Sequence, residues 1–100
     1  MKYFVKWSCS GKMPEGGPAK MSEDFSRQIK YIEKSGKMKD GGPLLGVKGG
    51  YFVFDGIDKP GELLGLLGKV FWDNFEIEVH PVLSYKELGE FLHEEYAKAA

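Results

Sequence analysis

Three ionisable residues fall at alternate positions in Phe75-Glu76-Ile77-Glu78-Val79-His80-Pro81-Val82, with apolar residues between them. A strand sends successive side chains to opposite faces, so Glu76, Glu78 and His80 share one side of a sheet, about 7 Å apart from one to the next. Held away from water, carboxylates that close raise one another's pKa, and a neighbouring histidine can share the proton. Such a set suits general acid–base work, the movement of a proton on carbon that isomerases perform. Glu78, the central member, is the candidate base, with His80 as relay and Glu76 beside it. The competing use of the same pattern is a solvated or subunit-interface face on which a glutamate pairs with Lys6.

The remaining reactive side chains give less. Cys9 lies between two serines ahead of Gly11, where Lys12 is the one nearby cation, and it reads as an ordinary free thiol. His93 falls on a helix near the end of the chain and reads as solvated. The two histidines and the glutamates do not make a metal-ligand spacing, and no metal or cofactor is expected. Trp7 and Trp72 read as core aromatics. No phosphate-cradling glycine loop, nucleophile elbow or basic–aromatic stripe is present.

The elements that must position these residues follow from periodicity. Residues 2–8 make a first strand with Tyr3, Val5 and Trp7 on one face and Phe4, Lys6 and Ser8 on the other. A Gly/Pro-rich loop over 9–18 leads to a helix over 19–34, where Met21, Phe25, Ile29 and Ile32 form one stripe. Gly36 then suits a left-handed cap. The second strand is irregular, bent or bulged at Gly41-Gly42-Pro43 and resumed by Leu44 to Val47. Gly49-Gly50 is expected as a tight hairpin turn, and Tyr51 to Asp55 as the third strand. Asp58 is the expected N-cap of a second helix carrying Leu63, Leu64, Leu66, Leu67, Val70 and Phe71. Its glycines, Gly61, Gly65 and Gly68, are expected where helix packs closely on sheet. Residues 75–83 form the fourth strand. Ser84 and Glu87 then open a last helix with a capping box, and Leu88, Phe91, Leu92 and Tyr96 share its apolar face.

The order β-α-β-β-α-β plus a terminal helix predicts a ferredoxin-like α+β sandwich, both crossing helices on one face of an antiparallel sheet. One hundred residues make one domain, 1–100. With 42% hydrophobic and 14% aromatic residues the chain is a folded globule. A net charge of −1 gives no steering toward nucleic acid, and no apolar run is long enough to span a membrane. The single cysteine and the short apolar start, interrupted by Lys6, point to a cytoplasmic protein without a signal segment.

Two helices leave one sheet face uncovered. On it Phe75, Ile77 and Val79 are unwelcome, since the core needs them, so the charged set of the fourth strand must lie there, beside Phe4, Lys6 and Ser8. Periodicity leaves open which set of the third strand is inside. Phe52 and Phe54 are taken, with Lys6, as candidate ligand contacts. A face this aromatic implies a partner, and a homodimer is expected.

The run Gly50-Tyr51-Phe52-Val53-Phe54-Asp55, then Glu62-Leu63-Leu64 with Leu66-Leu67, then Phe75 to Val82, resembles the second half of muconolactone-isomerase-like proteins of the dimeric α/β barrel superfamily. With Gly42-Pro43-Leu44 before it, the same segment is similar to YCII-related proteins. The shared signal covers about residues 35–83 and includes Glu78, Val79 and Pro81 at the end of the strand. The resemblance implies two sheets packed face to face and a pocket beside the sheet. It also implies a range of activities: isomerases, cofactor-independent oxygenases, haem-degrading enzymes and ligand sensors. YCII-related proteins carry a histidine on the first strand paired with an aspartate; here the first strand has no histidine, and no proline follows Asp73. The expectation is therefore a homodimer that binds a small ligand or is held together as a structural dimer through its sheet face. The alternative is a cofactor-independent isomerase using the carboxylate/histidine set. Enclosure of Glu78 and His80 around a pocket would favour the enzyme.

Overall fold

The computed structural model describes residues 1–11 and 16–99. Its elements are β1 (Lys2–Cys9), α1 (Gly17–Lys34), β2 (Met38–Pro43), β3 (Gly49–Phe54), α2 (Glu62–Asn74), β4 (Phe75–Val82) and α3 (Tyr85–Ala99). The sheet order is β2-β3-β1-β4, and each neighbouring pair is antiparallel. β1 and β2 both run against β3 and are therefore parallel to each other, as are β3 and β4 across β1. Those are the pairs that α1 and α2 connect. The fold is ferredoxin-like.

Alternation sorts the sheet. Val5 and Phe54 are fully buried under the helices, with Tyr3 and Phe52 nearly so. Ile32 of α1 and Leu63, Leu67 and Phe71 of α2 close the core from above, and Ile57 joins it from the loop before α2. Phe75, Ile77 and Val79 pack against this cluster. Trp7 ties its aromatic end together, with ring centroids 5.4 Å from Phe25, 5.6 Å from Phe71 and 5.1 Å from Phe75. Trp72 lies on the surface, 37% exposed, and is not the core residue its type suggested.

Several local expectations need correction. Gly49 and Gly50 are not the hairpin turn; they are the first two residues of β3, and residues 44–48 form the connection, with Gly46 at φ 90°. Leu44 to Val47 therefore do not resume the strand. The glycines supply space instead of a turn. A Cβ on Gly50 would lie 2.5 Å from Cζ2 of Trp7 and 2.6 Å from the Gly42 carbonyl oxygen, and one on Gly49 would overlap the Trp7 carbonyl. The irregularity in β2 falls between Met38 and Asp40, upstream of Gly41-Gly42-Pro43.

α2 begins at Glu62 with Gly61 at the N-cap and no side-chain cap, so Asp58 does not play that part. Glu62 reaches back instead. Its Oε1 accepts from the Asp58 and Lys59 amides at 3.1 and 3.3 Å, and its Oε2 accepts from Lys37 Nζ at 2.7 Å. Gly61 and Gly65 have open space where a side chain would stand; only Gly68 is crowded. It leaves helical geometry (φ 68°, ψ 176°) where the Gln28 amide donates to the Leu66 carbonyl at 2.7 Å.

α1 begins two residues before its expected start, behind Gly16. Gly36 follows it at φ 72°, the expected left-handed cap. The expected loop over 9–18 includes residues 12–15, Lys12 among them, which lie outside the described residues. α3 opens on the expected capping box: the Ser84 amide donates to Glu87 Oε1 at 3.1 Å and the Glu87 amide to Ser84 Oγ at 3.0 Å.

Candidate functional site

Pairing register lays the uncovered face out in rows. The first row is His80, Phe4, Val53 and Asp40; the second is Glu78, Lys6, Tyr51 and Gly42; the third is Glu76, Ser8 and Gly49. Glu76, Glu78 and His80 thus share the face that strand alternation requires, with Lys6 directly across from Glu78. Glu78 Oε2 lies 3.6 Å from His80 Nε2, and their side chains are 63% and 61% exposed in the single chain. The carboxylate and imidazole are a pair at an open surface, so a second layer is needed before they can act out of water.

Phe52 and Phe54, taken with Lys6 as ligand contacts, do not share its face. Both point to the helices, because Val5, opposite Phe52, and Tyr3, opposite Phe54, are core residues. The third strand offers Tyr51 and Val53 to the open face in their place. Tyr51 stacks on Phe4, with centroids 5.9 Å apart and planes 19° from parallel. Its hydroxyl donates to Asp40 Oδ2 at 3.1 Å. That hydrogen bond raises the phenol's pKa above its ordinary value, with burial and the Asp40 charge adding to the effect. Phe4 was legible as an outward residue of the first strand. Tyr51, Val53 and Asp40 were not, since both faces of the third strand carry apolar or aromatic residues.

The helix side holds a second feature. Between α1 and the β2 edge runs a groove of about 390 Å³, walled by Trp7, Phe25, Ile29, Met38 and Phe52, with Gly41-Gly42-Pro43 along one rim. Phe52 therefore does line a concavity, though not the one beside Lys6. The Trp7 ring forms part of this wall; its indole Nε1–H is closed off from solvent and has no hydrogen-bond partner among the described residues. Such a donor is uncommon, because an unmade buried hydrogen bond costs about 1–3 kcal/mol. The β2 rim is low because it is built on glycine: at Gly41 the Met38 and Phe52 side chains and the Tyr51 carbonyl each stand 3.1 Å from where a Cβ would be.

Among the described residues no three His, Cys, Asp or Glu side chains are grouped to hold a metal ion. No helix among them is long and apolar enough to cross a membrane. Cys9 is exposed at the end of β1.

No protein-family model matches the chain, and no curated protein matches it in sequence. Eight chains of solved structures match it in shape. One is 5-chloro-2-hydroxyhydroquinone dehydrochlorinase (TftG) from Burkholderia phenoliruptrix AC1100 in complex with 2,5-dihydroxybenzoquinone, at TM-score 0.60 and 15% identity, over 83% of this chain and 94% of that one. The likeness is one of fold. It places this chain with a small α+β enzyme in architecture and leaves the chemistry to its own residues.

Proposed function

We propose that the chain acts as an intracellular homodimer that binds a small ring compound in the groove between α1 and β2. The observation that carries this reading is the groove wall. Four rings or flexible apolar side chains, Trp7, Phe25, Met38 and Phe52, surround a space of about 390 Å³. Its volume falls in the range of small-molecule pockets, which are mostly apolar with a few polar groups that orient the ligand. The Trp7 N–H, unpartnered and closed off from solvent in the empty chain, would be such a group once the wall yields to a ligand whose rim carries an acceptor. The bound 2,5-dihydroxybenzoquinone of the TftG complex, a flat ring edged with oxygen, is the kind of molecule these walls would suit.

Calorimetric titration with a panel of hydroxylated benzenes and quinones tests this reading. Trp7→Phe keeps an aromatic wall and deletes the donor. Binding by the wild type, weakened about two- to tenfold in Trp7→Phe, is the expected result, since one such hydrogen bond contributes about 0.5–1.5 kcal/mol. A panel without a binder, or equal binding by both proteins, would count against it.

A second reading rests on the open face. Glu78 and His80 stand 3.6 Å apart next to the Phe4–Tyr51 stack. If a second copy lays its own sheet over this face, with sheets about 10 Å apart, the pair leaves bulk water between two aromatic layers. Glu78 would then serve as base toward a carbon acid, His80 as proton relay, Glu76 and Lys6 as flanking charges. In this reading Glu78→Gln abolishes hydrogen–deuterium exchange on a bound carbon acid and leaves the dimer intact. Unchanged exchange would remove Glu78 from the role.

A further inference from the structure

α3 has an apolar face and nothing of its own to cover. Leu88, Phe91, Leu92 and Tyr96 recur at the spacing of one helical stripe, and they are 39%, 54%, 40% and 71% exposed. Among the described residues no strand or other helix packs along it. The molecule is accordingly 59 Å long but only 27 by 23 Å across, and its radius of gyration is 16.7 Å. A compact chain of 100 residues has a radius of about 13 Å. A 15-residue helix is near the lower limit for standing alone in water, so this one gains its stability from what its stripe covers.

The surface area says how much is missing. The chain exposes 7253 Å². A compact protein of its mass exposes about 5,700 Å², leaving about 1,500 Å² in excess. Two copies burying that excess would share about 3,000 Å², the size of an obligate homodimer interface.

The stripe has a receiver, and it is on the wrong edge for its own chain. α3 leaves β4, one edge strand, while the groove lies at β2, the other, three strand spacings or about 14 Å away. Only Leu83 and Ser84 separate β4 from α3, and the Ser84–Glu87 capping box holds the entry of the helix. α3 leaves this junction without turning back across its own sheet. Beside the groove, the β2–β3 connection presents Leu45 and Val47 to solvent, 105% and 47% exposed. Ridge and receiver are both unfilled, and both belong to every copy, which is what a two-fold exchange needs.

We propose that α3 of each copy crosses to a second copy and roofs its α1–β2 groove, so that the ligand site is completed by the partner. This rests on the groove reading above and adds the second copy as the roof of the groove. The stripe of α3, in which Glu95 falls beside Phe91 and Leu92, meets the groove mouth and Leu45; Glu90 and Glu94, on the opposite side, stay in water.

Isotope-filtered NMR on the full chain, an equal mixture of carbon-13-labelled and unlabelled protein, tests it. The expected result is contacts between copies from the Phe91 and Tyr96 rings to the Ile29, Met38 and Leu45 methyls. A dimer whose contacts between copies involve Phe4 and Tyr51 but no α3 residue would overturn the exchange and leave the groove and sheet-face readings standing. A species of 11.2 kDa at every concentration would overturn exchange and dimer together. The double substitution Phe91→Glu with Leu92→Glu alters two solvent-facing positions of the single chain and should raise the dimer dissociation constant about a hundredfold or more. An unchanged constant would also overturn the exchange.

Discussion

Gly50 shows how closely the sheet is fitted around Trp7. Among the three atoms that an added Cβ would meet is the Gly42 carbonyl oxygen, which belongs to backbone and cannot swing aside. Gly50→Ala should therefore destabilise the fold by about 1–3 kcal/mol, read as a lower urea midpoint with an unchanged slope. Gly42→Ala, where nothing lies within 4 Å, is the control and should stay within about 0.5 kcal/mol. Tyr51 gives a second reading at this scale. Its phenol is held above the ordinary value of about 10 because the neutral hydroxyl donates to Asp40. Asp40→Asn removes the charge, and the Tyr51 titration, followed by phenolate absorbance, should move down. At this scale the sequence was informative where one face of a strand was polar. Glu76, Glu78 and His80 could be assigned by alternation alone. Phe52 and Phe54 could not, because their neighbours Tyr51 and Val53 are also fit for burial; the register with β1 decides it.

The elements themselves were legible from stripes and caps, and their ends were not. The capping box of α3 and the left-handed Gly36 were visible because both ends of each device lie close in sequence. The start of α2 was misjudged because its organising partner is remote: Glu62 is engaged by Lys37, which sits at the entrance to β2. This pair carries a pH signature. The Lys37 hydrogen bond holds the Glu62 carboxyl below the usual glutamate value of about 4.3, helped by the Lys59 and Asp58 amides. The unfolded chain therefore binds the proton first as pH falls. The contribution is complete above that value and is lost as pH drops through the lower folded one. Glu62→Gln should flatten the acid limb of a stability–pH profile, and added salt should shrink the difference between the two proteins, because the pair is partly exposed. An acid limb of unchanged slope would contradict this account of α2.

At the scale of the whole molecule, the order of elements and the inward sets of the first and fourth strands followed from sequence pattern. The groove did not. It depends on the Gly41-Gly42-Pro43 rim, on Trp7 lying across Gly50, and on the spacing between α1 and β2, none of which has a local signature. The detachment of α3 was equally hidden, since an amphipathic stripe states that a helix is covered but not by which copy. In the proposed function these two unfilled surfaces together enclose a small ligand, and the Trp7 indole N–H reports its arrival. The direct measurement is the nitrogen-15 NMR signal of that N–H during titration with 2,5-dihydroxybenzoquinone and related hydroxylated rings. The account predicts that the Trp7 signal shifts downfield and saturates with at least one of them while Trp72 stays in place. A Trp7 signal that moves with none, or saturable shifts confined to residues away from the groove, would contradict it.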